Sequence, residues 1–341
     1  MEALIGHLVQ GLSLPLLFAI IAVTIYTLAK GADILVDQAV TFSTHWGVPK
    51  VLIGATIVSL GTTLPEAAVS VLASLQGRPG LALGNAVGSI VCDTGLVLGT
   101  ATLISPLPLN RAIVNRQGWL QLAAGFLLVI SCTPFSSLGK AFTEGGNLPQ
   151  IVGVVFLLLL VVYIWKSIRW VKIQDSESGL ELQENHLDPS WTFLTAFKLI
   201  FGIVLVVASS WVLIPTVHET ALRLRIPESI IAATLVALGT SLPELITAVT
   251  AARKGHGEIA VGNVIGADIL NVLFVAGTSA AVTKGGLDAP VQFFQLLFPA
   301  MLFILIAFRI GIFFSGDQLK RPFGIVLLGI YLLVNVLGYT R

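Results

Sequence analysis

Hydrophobic residues run along this chain in ten blocks, each long enough for a helix that crosses a bilayer, and polar residues collect between them. The blocks fall at 10–36, 50–75, 81–104, 117–134, 149–170, 192–217, 228–252, 259–282, 290–313 and 322–339. A crossing takes ~20 predominantly apolar residues. Gly and Pro interrupt the blocks at 50–75 and 228–252, which predicts broken helices there. A polar, acidic stretch from Lys172 to Pro189 divides the chain near its middle. It reads as a solvated linker (172–190) between a first half, 1–171, and a second, 191–341. The first apolar block is too long for a cleavable signal peptide, and no basic residues precede it.

The two halves carry the same pattern. Residues 54–99 read GATIVSLGTTLPEAAVSVLASLQGRPGLALGNAVGSIVCDTGLVLG, and residues 232–277 read AATLVALGTSLPELITAVTAARKGHGEIAVGNVIGADILNVLFVAG. They align without a gap at an offset of 178, with 18 identities in 46 positions. The shared G-T-[TS]-L-P-E and G-N-x-[VI]-G stand at that one offset. The offset spans five blocks, and five crossings reverse direction, so the copies face each other with opposite topology, as in secondary transporters. The predicted fold class is therefore all-α and integral to the membrane: ten transmembrane helices forming two inverted-topology five-helix repeats.

Composition agrees. Of 341 residues, 55% are hydrophobic and 11% charged, with mean hydropathy +0.93, whereas soluble domains carry about 25% charged residues. Lipid is the solvent such a chain requires. A net charge of +1 gives no reason to expect nucleic acid as a partner. The two cysteines, Cys92 and Cys132, form no disulfide framework or ligand spacing. Ends after odd-numbered blocks hold eleven Lys and Arg against six on the other side. Positive charge marks the cytoplasmic face. This places the central linker in the cytoplasm and both termini outside the inner (plasma) membrane.

Candidate chemistry lies in the repeats. An acidic residue at the centre of a membrane helix costs ~3 kcal/mol, yet Glu66 and Glu244 stand mid-block at equivalent places and Asp93 stands inside the third block. Pro65 and Pro243 deprive the carbonyls of Gly61 and Gly239 of their helical partners. Such carbonyls coordinate cations where a broken helix lines a cavity. Thr62 and Glu66 are spaced i,i+4, as are Thr240 and Glu244, which puts hydroxyl and carboxylate on one helix face. Thr63 and Ser241 add hydroxyls. Ser89 and Asp93 share a face in the next helix, as do Ala267 and Asn271. All these side-chain ligands are oxygen, which selects hard cations. Asp268, opposite Ile90 in the other repeat, faces either the ion path or a neighbouring helix. Asp33 and Asp37 read as surface pairing partners or as an entry vestibule. The five histidines receive no role.

GTTLPE with GNAVGSIVCD, and GTSLPE with GNVIGADILN, resemble the two alpha-repeats of the cation/calcium exchanger superfamily, most of all its prokaryotic sodium/calcium exchanger branch. The resemblance implies cation sites at the midplane, built by four central helices, and alternating access through sliding of helices one and six. Carried over by position, it implies Glu66 and Glu244 as the main calcium ligands. Thr62, Thr63, Ser89, Asp93, Thr240, Ser241 and Asn271 surround them, and the backbone carbonyls of Ser59 and Ala237 complete the shell. Three positions depart from the pattern. The acidic member of the Asp93/Asn271 pair stands in the first repeat rather than the second, Ala267 replaces a common Ser, and Asp268 is an extra carboxylate. The expected function is exchange of Ca²⁺ for Na⁺ by a protein that works as a monomer without a cofactor and is not an enzyme. Exchange driven by H⁺ or K⁺ on the same fold is the closest alternative, and a cation channel the alternative from another class.

Overall fold

A computed structural model describes residues 8–177, 189–224 and 239–339. Helices follow the apolar blocks closely. They are α1 Leu14–Trp46, α2 Lys50–Thr62, α3 Leu64–Leu75, α4 Pro79–Ile104, α5 Arg111–Cys132 and α6 Gln150–Glu177. The second half supplies α7 Pro189–Arg223, α8 Leu242–Arg253, α9 Gly257–Val282, α10 Phe293–Phe314 and α11 Arg321–Tyr339. Among the described residues, eight helices are long and apolar enough to cross a membrane, and the bent pair α2–α3 makes a ninth crossing. The tenth block, 228–252, is described only from Gly239 onward, as α8.

Two helices outrun their apolar blocks. The 33 residues of α1 and the 35 of α7 span ~50 Å at 1.5 Å per residue, against a hydrocarbon layer of ~30 Å. Both must tilt or protrude. Helix α6 likewise continues to Glu177, through the first residues assigned to the linker, because polar residues beyond the bilayer sustain a helix in water. Residues 178–188 of that linker lie outside the described residues.

Burial separates centre from rim. In the apolar window of α9, 94% of residues are buried, against 17% in α11. Helix α9 lies against α2, with the backbone of Gly262 under the Val51 carbonyl and that of Gly266 under the Ala55 carbonyl, so that a Cβ at either glycine would collide with main chain. Small residues permit such backbone approach where no hydrophobic force drives helices together. Helices α1 and α7 share a small core, Leu28, Ala32, Val206 and Leu213, against which Leu242 and Ile246 of α8 pack, while Leu35, Val36, Ala39 and Leu199 join the main core. They run antiparallel: the Thr27 and Ser209 hydroxyls share a hydrogen bond of 2.8 Å, Gly31 meets Leu205 and Val206, and Gly202 meets Leu35.

Two short antiparallel ladders tie loops at the helix ends. Strand β1 (Leu107–Pro108) pairs with β4 (Gln318–Leu319), and β2 (Gly146–Leu148) with β3 (Leu287–Ala289). The first ladder joins loops after the third and ninth blocks, and the second joins loops after the fourth and eighth. Exchanging the halves turns one ladder into the other, as inverted repeats require, with each ladder on its own side of the membrane.

Near one end of α1, Lys254 from the α8–α9 turn pairs with Asp33 at 3.2 Å and Asp37 at 2.9 Å. Burial pulls the lysine down, but its hydrogen bonds to Asp37 and Asp33 outweigh that and hold it above the ordinary lysine range. The surface pairing expected of these aspartates thus ties α1 to the central helices. A half-exposed tie of this kind is worth ~0.2–1 kcal/mol, weak enough to open.

Candidate functional site

In both GT-x-LPE motifs a new helix begins just after the same residue. Thr63 ends α2 with φ −80 and ψ −2, and Ser241 precedes α8 with φ −85 and ψ 9. The chain bends by 43° between α2 and α3. Pro65 and Pro243, at the start of the new helices, cannot donate back across the break. Each motif thus places a helix N-terminus inside the protein. Glu66 and Glu244 fall in the first turns of α3 and α8, where the positive end of the helix dipole favours a carboxylate.

The break also changes the partners that i,i+4 spacing implies. Thr62 does not serve Glu66 on its own strand of chain. It donates to Asn263 Oδ1 at 3.3 Å and lies within reach of Glu244. Thr240 donates to Asn85 Oδ1 at 3.3 Å and lies within reach of Glu66. The two bonds are related by the offset of 178. A helix ending at Thr62 turns its last hydroxyl toward the opposite repeat, so each carboxylate is attended by the other repeat's threonine. Thr63 completes the crossover by donating to Glu244 at 3.4 Å.

Around these residues the structure gathers the other predicted positions. Glu66, Asp93, Glu244, Asn271, Thr62 and Thr63 are all at most 1% exposed. The charges of Glu66, Glu244 and Asp93 act on one another. Asn271 donates to Asp93 Oδ2 at 3.4 Å, joining the mirrored pair directly. Ser241 lies against Asp93 and Cys92, and Ser89 is buried one turn before Asp93 on α4. The Ser59 carbonyl is engaged, accepting the Thr63 amide at 2.9 Å and the Thr62 hydroxyl at 3.3 Å. Ala237 lies outside the described residues. Asp268 is turned to a neighbouring helix: its Oδ2 accepts from Thr94 at 2.6 Å and from Gln121 of α5 at 2.5 Å.

Both oxygens of Glu66, Oε2 of Glu244, Oδ1 of Asp93, Oδ1 of Asp268 and Oδ1 of Asn271 are buried without a hydrogen-bond partner. The ion pairs among the described residues lie at the periphery, and none of them involves these four carboxylates. Buried acceptors without donors, framed by hydroxyls, call for a hard cation or a proton.

Several contributors escaped the sequence reading. Asn85 and Asn263 orient the threonines, and Asn85 also donates to the Glu66 carbonyl at 3.3 Å and to Ser70 at 2.9 Å. Their signal was the shared G-N motif, which carries the alignment and the resemblance but gives the two asparagines no role. Gln117, Gln121 and Tyr163 had no signal, because nothing in the pattern brings α5 and α6 beside the repeats, and Thr94 had none because Val272 stands at its place in the other repeat. Tyr163 donates to the Ala55 carbonyl at 3.2 Å, within the π-helical turn Gly54–Val58, where widened winding displaces backbone bonds. Further π turns occur at Asp93–Val97 and Asn271–Ala276, each beginning at one member of the Asp93/Asn271 pair.

The chain is similar to known proteins along nearly its whole length. The profile of the family described as "Sodium/calcium exchanger protein" matches residues 16–169 and 194–339. The inner membrane protein YrbG of Escherichia coli is 33% identical over 91% of this chain and 93% of its own length. The sodium/calcium exchanger MaX1 of Methanosarcina acetivorans is 29% identical over 92% of this chain and 96% of its own. Among solved structures, the sodium-calcium exchanger NCX_Mj soaked with 10 mM Na⁺ and zero Ca²⁺ superposes with a TM-score of 0.78 at 28% identity, covering 95% of this chain and 99% of that one.

Proposed function

The chain belongs to the sodium/calcium exchanger protein family, and on that premise we propose that it is a secondary antiporter moving Ca²⁺ against Na⁺ by alternating access. The observation that carries this reading is three buried carboxylates, Glu66 and Glu244 in the first turns after the GT-x-LPE motifs and Asp93 inside α4, each with an acceptor that has no hydrogen-bond partner. Ca²⁺ binds between Glu66 and Glu244, whose charge replaces part of its hydration shell. Thr62, Thr63, Thr240, Ser241, Ser89, Asp93 and Asn271 supply the surrounding ligands to Ca²⁺ or Na⁺. The Ser59 and Ala237 carbonyls complete the shell, Ser59 once the Thr62 hydroxyl turns away from it.

Exchange follows from charge. Loaded with either cargo, the cluster is largely neutralised, and α1 with α7 can slide across it. Emptied, it presents uncompensated carboxylates that apolar helices cannot cover without a cost of several kcal/mol. The protein therefore returns only with the other ion. The close backbone crossing of α1 and α7, with the small core they share, supports their moving as a unit. The halves 1–171 and 191–341 form the repeats, and the linker 172–190 faces the cytoplasm with both termini outside the inner membrane. The protein works as a monomer in lipid, without a cofactor and without enzymatic activity.

Replacing Glu66 by Gln tests the site. Binding of radioactive calcium by the purified protein should fall below detection, with thermal stability retained. Calcium binding equal to that of the parent would remove Glu66 from the site.

A further inference from the structure

A fourth carboxylate lies beside this site and is not needed to hold Ca²⁺. Asp268 is 2% exposed, on α9 one turn before Asn271. Its Oδ2 takes both available donors, the Thr94 hydroxyl and the Gln121 amide, and its Oδ1 is buried with no partner. Gln121 also reaches the Thr94 hydroxyl at 3.4 Å, so α4, α5 and α9 close a small polar ring. Nearby, Asn271 spends its amide nitrogen on Asp93 and leaves its own Oδ1 buried and without a donor. That neutral acceptor belongs to the main site, whereas the unpartnered Oδ1 of Asp268 belongs to the ring with Thr94 and Gln121.

We propose that Asp268, Thr94 and Gln121 form a subsite for one monovalent cation beside the calcium site. The proposal rests on the exchanger reading and adds an ion to its cargo. A buried carboxylate must be paired, metal-bound or neutralised. Asp268 has no ion pair among the described residues, and only neutral groups hold it. Thr94 Oγ1 and the Gln121 side-chain oxygen, after rotation of the amide, join the carboxylate as ligands. A single carboxylate with neutral oxygens suits an ion of charge one, since Ca²⁺ takes six to eight oxygens and favours several carboxylates. Three carboxylates at the main site and one here also call for more positive charge than one Ca²⁺ supplies.

The test counts ions. Purified protein is saturated with radioactive sodium, or with radioactive rubidium standing in for K⁺, and bound ions per protein are measured beside radioactive calcium. Asp268→Asn keeps the shape and both hydrogen-bond partners. It should bind one monovalent ion fewer, in the sodium arm or the rubidium arm according to which ion the subsite takes, and should still bind calcium. An unchanged count in both arms would mean a permanently protonated structural Asp268 and overturn the subsite. Loss of calcium binding would overturn its separateness. Thr94→Val retains the carboxylate and covers the case in which the first variant does not fold. In it one monovalent ion should bind about tenfold more weakly, and unaltered affinity counts against the proposal. Glu66→Gln tells the two readings apart: retained calcium binding there breaks the main site, whatever Asp268 does.

Discussion

Asp93 and Asn271 are one pair in space, joined by a bond of 3.4 Å from the Asn271 amide to Asp93 Oδ2. The inverted repeat makes the two positions equivalent, so an ion between Glu66 and Glu244 feels a carboxylate at either place almost equally. The double change Asp93→Asn with Asn271→Asp should retain most sodium-driven calcium exchange. Asp93→Asn alone should lose sodium dependence, because a charge pair at ~4 Å is worth ~4 kcal/mol at an effective dielectric of about 20, before desolvation is subtracted. Calcium flux titrated against sodium checks both, and a single variant that titrates like the parent would remove Asp93 from the coupling. At this scale the acidic residues were legible, since charge in an apolar block cannot be overlooked. Their partners were legible only in part. Spacing put Thr62 beside Glu66, but the helix ends between them and the hydroxyl goes to the other repeat.

Elements were read more fully than their lengths. Each apolar block predicted a helix, and the Pro of each GT-x-LPE motif stands in the first turn of a new one. The ten or so residues by which α1 exceeds its block were hidden, because water-facing helix and polar loop look alike in composition. The antiparallel crossing of α1 and α7 was also invisible, since Gly31 and Gly202 belong to no shared motif. There a Cβ on Gly202 would meet the Leu35 nitrogen at 2.9 Å and the Gly31 carbonyl at 3.1 Å. Both are main chain, so the helices must separate. Gly202→Ala should cost ~1–3 kcal/mol as overpacking. Its larger effect should be on exchange rate, at least several-fold, with equilibrium calcium binding unchanged. Flux and binding measured together decide it, and a parental rate would mean that the close crossing plays no part in transport.

Across the whole molecule the two halves repeat one plan with opposite sense. The shared offset predicted this, and two loop ladders and two threonine–asparagine bonds express it. Symmetry gives such a protein two related ways of packing the same interfaces, one open to each side. The buried carboxylates make the passage between them conditional on a bound cation. Which cation drives calcium is the central claim, and flux into vesicles tests it most directly. Purified protein is reconstituted into liposomes, and radioactive calcium uptake is followed under an outward sodium gradient or an outward proton gradient of equal size. Sodium coupling gives rapid uptake with sodium, abolished when the sodium gradient is collapsed, and little uptake with protons. Uptake that follows the proton gradient and ignores sodium would contradict it.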